Sequence, residues 1–219
     1  MIKISPIVKE MYPGFVFGIM TAHGIDTSSD RAAMEALKER ELEKVRVKYS
    51  GYDRKAFIES DPIRQYCAYY RKFNKTYHVL LQLESIVMKN KGIPGVGIAV
   101  EAMFLAEVKN QLLTAAHDME MINGQLTLGV AAGSESFTDI SGKTQQLTKG
   151  DLFLGDETGV LSSILCGPDY RTRITESSKS ALYFVYGVDG VSGLQINKHL
   201  VNIASYLQEV NRNVRCQII

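Results

Sequence analysis

The spacing of apolar residues changes once along this chain, and that change limits the folds open to it. Up to about residue 113 hydrophobic side chains recur at helical intervals, and beyond about residue 125 they alternate as in strands. A short buried strand is expected first, from Phe15 to Met20. Thr27-Ser-Ser-Asp30 then offers caps for a helix reaching about Tyr49, with Ala33, Met34, Leu37 and Val45 on one face. Asp61-Pro62 opens a second helix by cap-then-proline logic, its apolar side formed by Ile63, Tyr66, Cys67, Tyr70 and Phe73. A third helix, from Val79 to Asn90, carries Leu80, Leu83 and Val87 and stops in the breaker-rich turn from Lys91 to Gly97. A fourth, from about Val100 to Leu113, carries Met103, Phe104, Val108 and Leu112.

Strands are then expected at Gln125 to Val130, Asp151 to Leu154, Val160 to Leu165 and Ala181 to Tyr186, with Ser141-Gly142 as a hairpin-type turn. A last amphipathic helix, about Ile196 to Val210, shows Leu200, Ile203, Ala204 and Leu207. Helices first and strands second imply α+β rather than alternating α/β. The expectation is a single domain over residues 1–219, its helices mainly in the N-terminal half and packed on a mostly antiparallel sheet from the C-terminal half.

Composition excludes little. A net charge of +1 means that any nucleic-acid partner must be met by a local basic patch. Cys67, Cys166 and Cys216 form no CxxC pair, so reduced thiols in the cytoplasm are expected, with no metal and no cofactor. The start Met1-Ile-Lys-Ile-Ser-Pro6 lacks the apolar core of a leader, and no 18-residue apolar run is present. GxSxG, GxxxxGKS and HExxH are absent. The glycines from Gly92 to Gly97 follow a helix and read as a loop, not a nucleotide cradle.

Two polar segments concentrate the candidate chemistry. His117-Asp118 stands where a helix hands over to a strand, and its imidazole could serve as a general base or orient a water. Alternatively Asp118 caps the turn toward Asn123-Gly124 and His117 is merely polar. His23 follows the first strand and is a weaker candidate, whereas His78 and His199 read as surface residues on helices. Between two strands, Gly167-Pro-Asp-Tyr-Arg-Thr-Arg-Ile-Thr175 brings Arg171 and Arg173 together, a pair able to grip a phosphate or carboxylate, with Thr172 and Thr175 as hydroxyl partners. The alternative is that both arginines pair with Asp169 and Glu176 and Thr175 caps a turn. The stretch from Asp61 to Lys75 is basic and aromatic, which suits stacking on bases but equally a helical core face.

The order of Tyr70-Arg-Lys-Phe73, Leu112-Leu-Thr-Ala-Ala-His-Asp118, Ile122-Asn-Gly124 and Arg171-Thr-Arg-Ile-Thr-Glu176 resembles the freestanding relatives of the tRNA-editing domain of the phenylalanyl-tRNA synthetase beta subunit. The resemblance runs from about Phe15 to Val210 and implies an α+β fold with a pocket for the aminoacylated end of a tRNA. Asp118 falls on the family's histidine-to-aspartate segment, with Ala115 at the family's histidine position and His117 two places on. The Gly167-Pro-Asp169 turn falls near the family's glycine-rich turn. The resemblance implies a trans-acting editing hydrolase for mischarged aminoacyl-tRNA, with His117 and Asp169 as catalytic residues. Asp118, Arg171, Arg173, Thr175 and Glu176 would bind substrate, and Arg64, Arg71, Lys72 and Lys75 would contact tRNA. A module that binds tRNA or an amino acid and has lost the hydrolytic site is the alternative.

Overall fold

The computed structural model describes residues 2–26 and 31–219. In chain order the elements begin with β1 (Lys3–Ile4), α1 (Pro6–Met11), β2 (Val16–His23), α2 (Arg31–Lys48), α3 (Arg54–Ile58), α4 (Ile63–Arg71), α5 (His78–Lys89) and α6 (Ile98–Asn110). There follow β3 (Leu113–Asp118), a 3-10 turn (Met119–Met121), β4 (Thr127–Val130), β5 (Ser136–Thr138), β6 (Thr144–Gln146), β7 (Leu152–Gly155) and β8 (Val160–Ser163). The chain closes with β9 (Gly167–Pro168), β10 (Ser180–Gly187), α7 (Gly193–Val210) and β11 (Arg215–Ile218).

β10 is the organising strand. All eight of its residues are buried, and because successive side chains point to opposite faces it must be covered on both sides. On one face Tyr183 donates its hydroxyl to the Ala99 carbonyl of α6, at 3.0 Å. On the other, Tyr186 reaches the Ser162 hydroxyl of β8, at 2.7 Å. β10 lies between β2 and β3 in an antiparallel sheet of order β11-β2-β10-β3. Helices α6 and α7 cover one face of this sheet and pack against α2. Gly18 lets α7 come close, since a Cβ there would lie 2.3 Å from the Ile196 methyl.

The opposite side meets a five-stranded sheet of order β1-β4-β7-β8-β9, antiparallel apart from the β1–β4 pair. A β5–β6 ribbon turns at Gly142, whose φ of 81° requires the left-handed region. The result is α+β, with most helices N-terminal and a largely antiparallel sheet structure from the second half.

α4 ties these layers together. Tyr66, Tyr69 and Tyr70 are buried; their hydroxyls bond the Tyr186 carbonyl, the Asp151 carboxylate and the Ile164 carbonyl. Tyr66 also stacks on Tyr77 with ring centroids 4.6 Å apart. The interleaved aromatics of this stretch therefore face the core.

Three expectations need correction. The fourth helix ends at Asn110, where Gln111 turns left-handed at φ 56°, and Leu113 to Asp118 is strand. All six β3 residues are buried, so no alternation marks the strand, and Leu112 and Leu113 at its start extend the helical spacing by coincidence. His199 is fully buried rather than at the surface, with Nε2 2.6 Å from the Thr114 hydroxyl and Nδ1 3.2 Å from the Asn110 amide. Phe73 lies past the end of α4. The capping segment from Thr27 to Asp30 lies outside the described residues.

Candidate functional site: a sealed histidine and the cleft beside it

β3 and the loop leading to β10 bring the two polar segments together. Strand pairing sets His117 opposite Leu182, on the β3 face that looks toward β8. The His117 Nδ1 lies 2.7 Å from the Thr172 hydroxyl and its Nε2 lies 3.0 Å from the Ser162 hydroxyl. Thr172 in turn donates to the Asp169 carboxylate, which also accepts the Thr172 N–H at 3.1 Å. Tyr186 closes the other end against Ser162.

The order of donors fixes the tautomer. A carboxylate only accepts, so Thr172 must donate to Asp169 and accept from Nδ1–H. Nε2 is then the bare nitrogen and accepts from Ser162. This chain has the polarity of a serine–histidine–acid relay, but His117, Ser162 and Thr172 have no exposed surface and Asp169 is 4% exposed. Burial pushes the His117 imidazole down to about 3, with the Arg171 charge adding to the effect. His117 is thus neutral at physiological pH, and the 4.0 Å approach of Asp169 is no ion pair.

Arg171 is committed to the fold. Its guanidinium grips Asp156 with two bonds, at 2.9 and 3.0 Å, and caps the Met121 carbonyl at 2.6 Å. Burial alone would raise Asp156, but the N–H groups of Asn123 and Thr158 together with Arg171 outweigh it and hold the carboxyl low. Arg173 lies over the Tyr170 ring, 3.5 Å from its centroid, and donates to the Tyr170 carbonyl. The arginine pair does not converge on one ligand position: each guanidinium has its own protein partner.

Asp118 links this buried layer to the surface. Its carboxylate accepts from the Ser178 hydroxyl at 2.5 Å, and Ser178 accepts the Thr175 N–H at 3.0 Å. Thr175 and Glu176 then line an open cleft of about 680 Å³ with Arg31, Val96, Ile174 and the start of α6. No side chain caps that helix end, which begins after Gly97 at φ 109°. Glu101 accepts from the Val96 and Gly97 N–H groups and from Arg31, at 3.0, 2.9 and 2.6 Å.

The structure therefore brings His117 and Asp169 together, and Thr175 and Glu176 together, but in two compartments divided by Asp118 and Ser178. Arg64, Arg71, Lys72 and Lys75 are exposed around α4, remote in role from either; Arg64 pairs with Asp61 at 2.9 Å and Lys72 lies over Tyr12 at 5.3 Å. Ala115 is buried opposite Phe184. Sequence reasoning missed Ser162, Tyr186 and Asp156. Ser162 and Tyr186 stand within strand patterns that carry no chemical signature, and only pairing across sheets joins them to His117.

No protein-family model and no curated protein matches this chain. Among solved structures it is similar to an N-terminal fragment of the phenylalanyl-tRNA synthetase beta subunit from Pyrococcus horikoshii, with a TM-score of 0.52. The chain resembles part of that fragment in fold. Identity is 13%, and the match covers 100% of this chain and 50% of the fragment, so the chain spans half the length of that solved relative. The likeness is one of fold.

Proposed function

We propose that this protein is a binding module on a synthetase beta-subunit-like fold, taking an aminoacylated nucleotide end in the Thr175–Glu176 cleft without hydrolysing it. One observation carries the reading: the His117 imidazole is sealed, neutral and engaged at both nitrogens. A general base must reach the proton it removes, directly or through one water, and must hold a proton affinity near the working pH. His117 meets neither condition. The cleft is of the size that takes a small ligand. It offers a hydroxyl at Thr175 and apolar walls at Val96 and Ile174.

The hydrolase reading keeps one observation in its favour, the relay order from Ser162 through His117 and Thr172 to Asp169. A single comparison separates the two. Purified protein is titrated with a non-hydrolysable 3′-aminoacylamino-adenosine and, in parallel, incubated with tyrosyl- and phenylalanyl-tRNA. The binding reading expects saturable binding weakened by Thr175→Val and no deacylation above background. Deacylation by the wild type that is lost in His117→Gln would establish the hydrolase instead, and absence of both activities would remove each.

A further inference from the structure

On a face formed by α2, α6 and α7, lysines from all three helices meet around one cleft of about 340 Å³. Lys44 and Lys48 come from α2, Lys109 from the last turn of α6, and Lys198 from α7. Asn110, Gln111 and Gln195 also line it, with Val45 and Leu112 as its apolar part. One acid, Glu41, stands among them. It is 4% exposed and holds the Lys44 and Lys109 ammonium groups at 2.6 and 3.3 Å while accepting from the Tyr206 hydroxyl at 2.8 Å. Two of the four cations are thereby fixed in place on a buried anchor. The other two, Lys48 and Lys198, are exposed and make no ion pair within 4.0 Å among the described residues.

Helix electrostatics account for part of this set. Lys48 and Lys109 sit in the last turns of α2 and α6, where a helix dipole favours cations. Lys198 stands near the start of α7, where the dipole gives it no such reason. Four cations against one anion is a local excess of three charges in a chain whose net charge is +1.

We propose that this lysine cleft is a binding site for phosphate groups, carried by an RNA strand or by a free nucleotide. It goes beyond the aminoacyl cleft, from which it is separate. Ammonium groups held on a buried carboxylate have lost much of their freedom before the ligand arrives, which favours binding.

The test uses uncharged RNA, so that it does not depend on the aminoacyl cleft. A fluorescent single-stranded RNA and, separately, ATP are titrated into the wild type and into the Lys48→Glu/Lys198→Glu double variant, with melting curves confirming the fold. Affinity for at least one ligand should fall roughly tenfold, and where RNA is a ligand that weakens, its slope of log K against log salt should shrink by about 1.4, at about 0.7 for each phosphate that the variant no longer neutralises. Weakening with RNA alone identifies a strand as the source, and weakening with ATP alone identifies a nucleotide. No binding by the wild type, unchanged binding by the double variant, or an equal weakening in Arg71→Glu/Lys75→Glu would overturn the proposal.

Discussion

If His117 is sealed and neutral, the pH dependence of stability must carry its signature. The unfolded imidazole titrates near 6.5 and the folded one at about 3. Between these values the unfolded chain binds a proton that the folded chain refuses. The stabilisation is therefore complete above pH 6.5 and is lost as pH falls through 6.5 toward 3. From pH 7 to pH 5 the unfolded imidazole goes from about a quarter protonated to almost fully protonated while the folded one gains almost nothing, a loss of about 2 kcal/mol from this one residue. Other groups titrate as well, so the wild-type profile alone decides nothing. The difference from His117→Gln does, because glutamine cannot ionise while its amide still offers a donor and an acceptor. Urea unfolding at pH 5, 6 and 7 should show the variant less stable at pH 7, by about 1–3 kcal/mol for the disturbed network. The gap should close by about 2 kcal/mol at pH 5. Parallel profiles, or an imidazole resonance titrating near 6.5 in the folded protein, would refute the reasoning and return His117 to contention as a base.

Tyr186→Phe removes the hydroxyl bonded to Ser162 and should cost about 1–3 kcal/mol in denaturant titrations without changing the far-ultraviolet spectrum. Glu107 is fully buried and pushed up to about 8 by burial, so it binds a proton on folding. Between pH 6 and 8 the wild type should lose about 2 kcal/mol through this group as pH rises; Glu107→Gln, which still accepts from the Thr114 N–H, should remove that slope in unfolding curves. Arg171→Ala strips a buried carboxylate, Asp156, of its charge partner and should cost about 3 kcal/mol, read as a lowered melting temperature. Gly18→Ala drives a methyl into Ile196 and should cost about 1–3 kcal/mol by the same measurement.

Much of the architecture is legible from spacing. α2, α5 and α7 follow the 3.6-residue rhythm, and Met34, Leu37, Leu80, Leu83, Leu200 and Leu207 are buried as that rhythm requires. β3 escapes such a reading because a strand buried on both faces has no rhythm to read. The burial of His199 is hidden for a related reason. Its hydrophobic neighbours on α7 mark the core stripe, but a histidine enters that stripe only if a partner waits inside, and Thr114 lies 85 positions away in the chain.

The candidate site divides along the same line. Local chemistry marks the Asp169-to-Glu176 loop and His117-Asp118 as polar segments beside strands, and both do converge. Whether such a histidine meets water or is walled off depends on what packs over it, here β8 and the β10 tyrosine. Those residues reach His117 across 45 and 24 positions, from His117 to Ser162 and from Ser162 to Tyr186. Hydrophobic period is a property of neighbours along the chain, so the sequence alone carried the α+β class, the long helices and the identity of the polar groups. Solvent access and proton affinity are properties of neighbours in space, so only the packed sheets decided that His117 is a buried strut and that Thr175 and Glu176 line an open cleft instead.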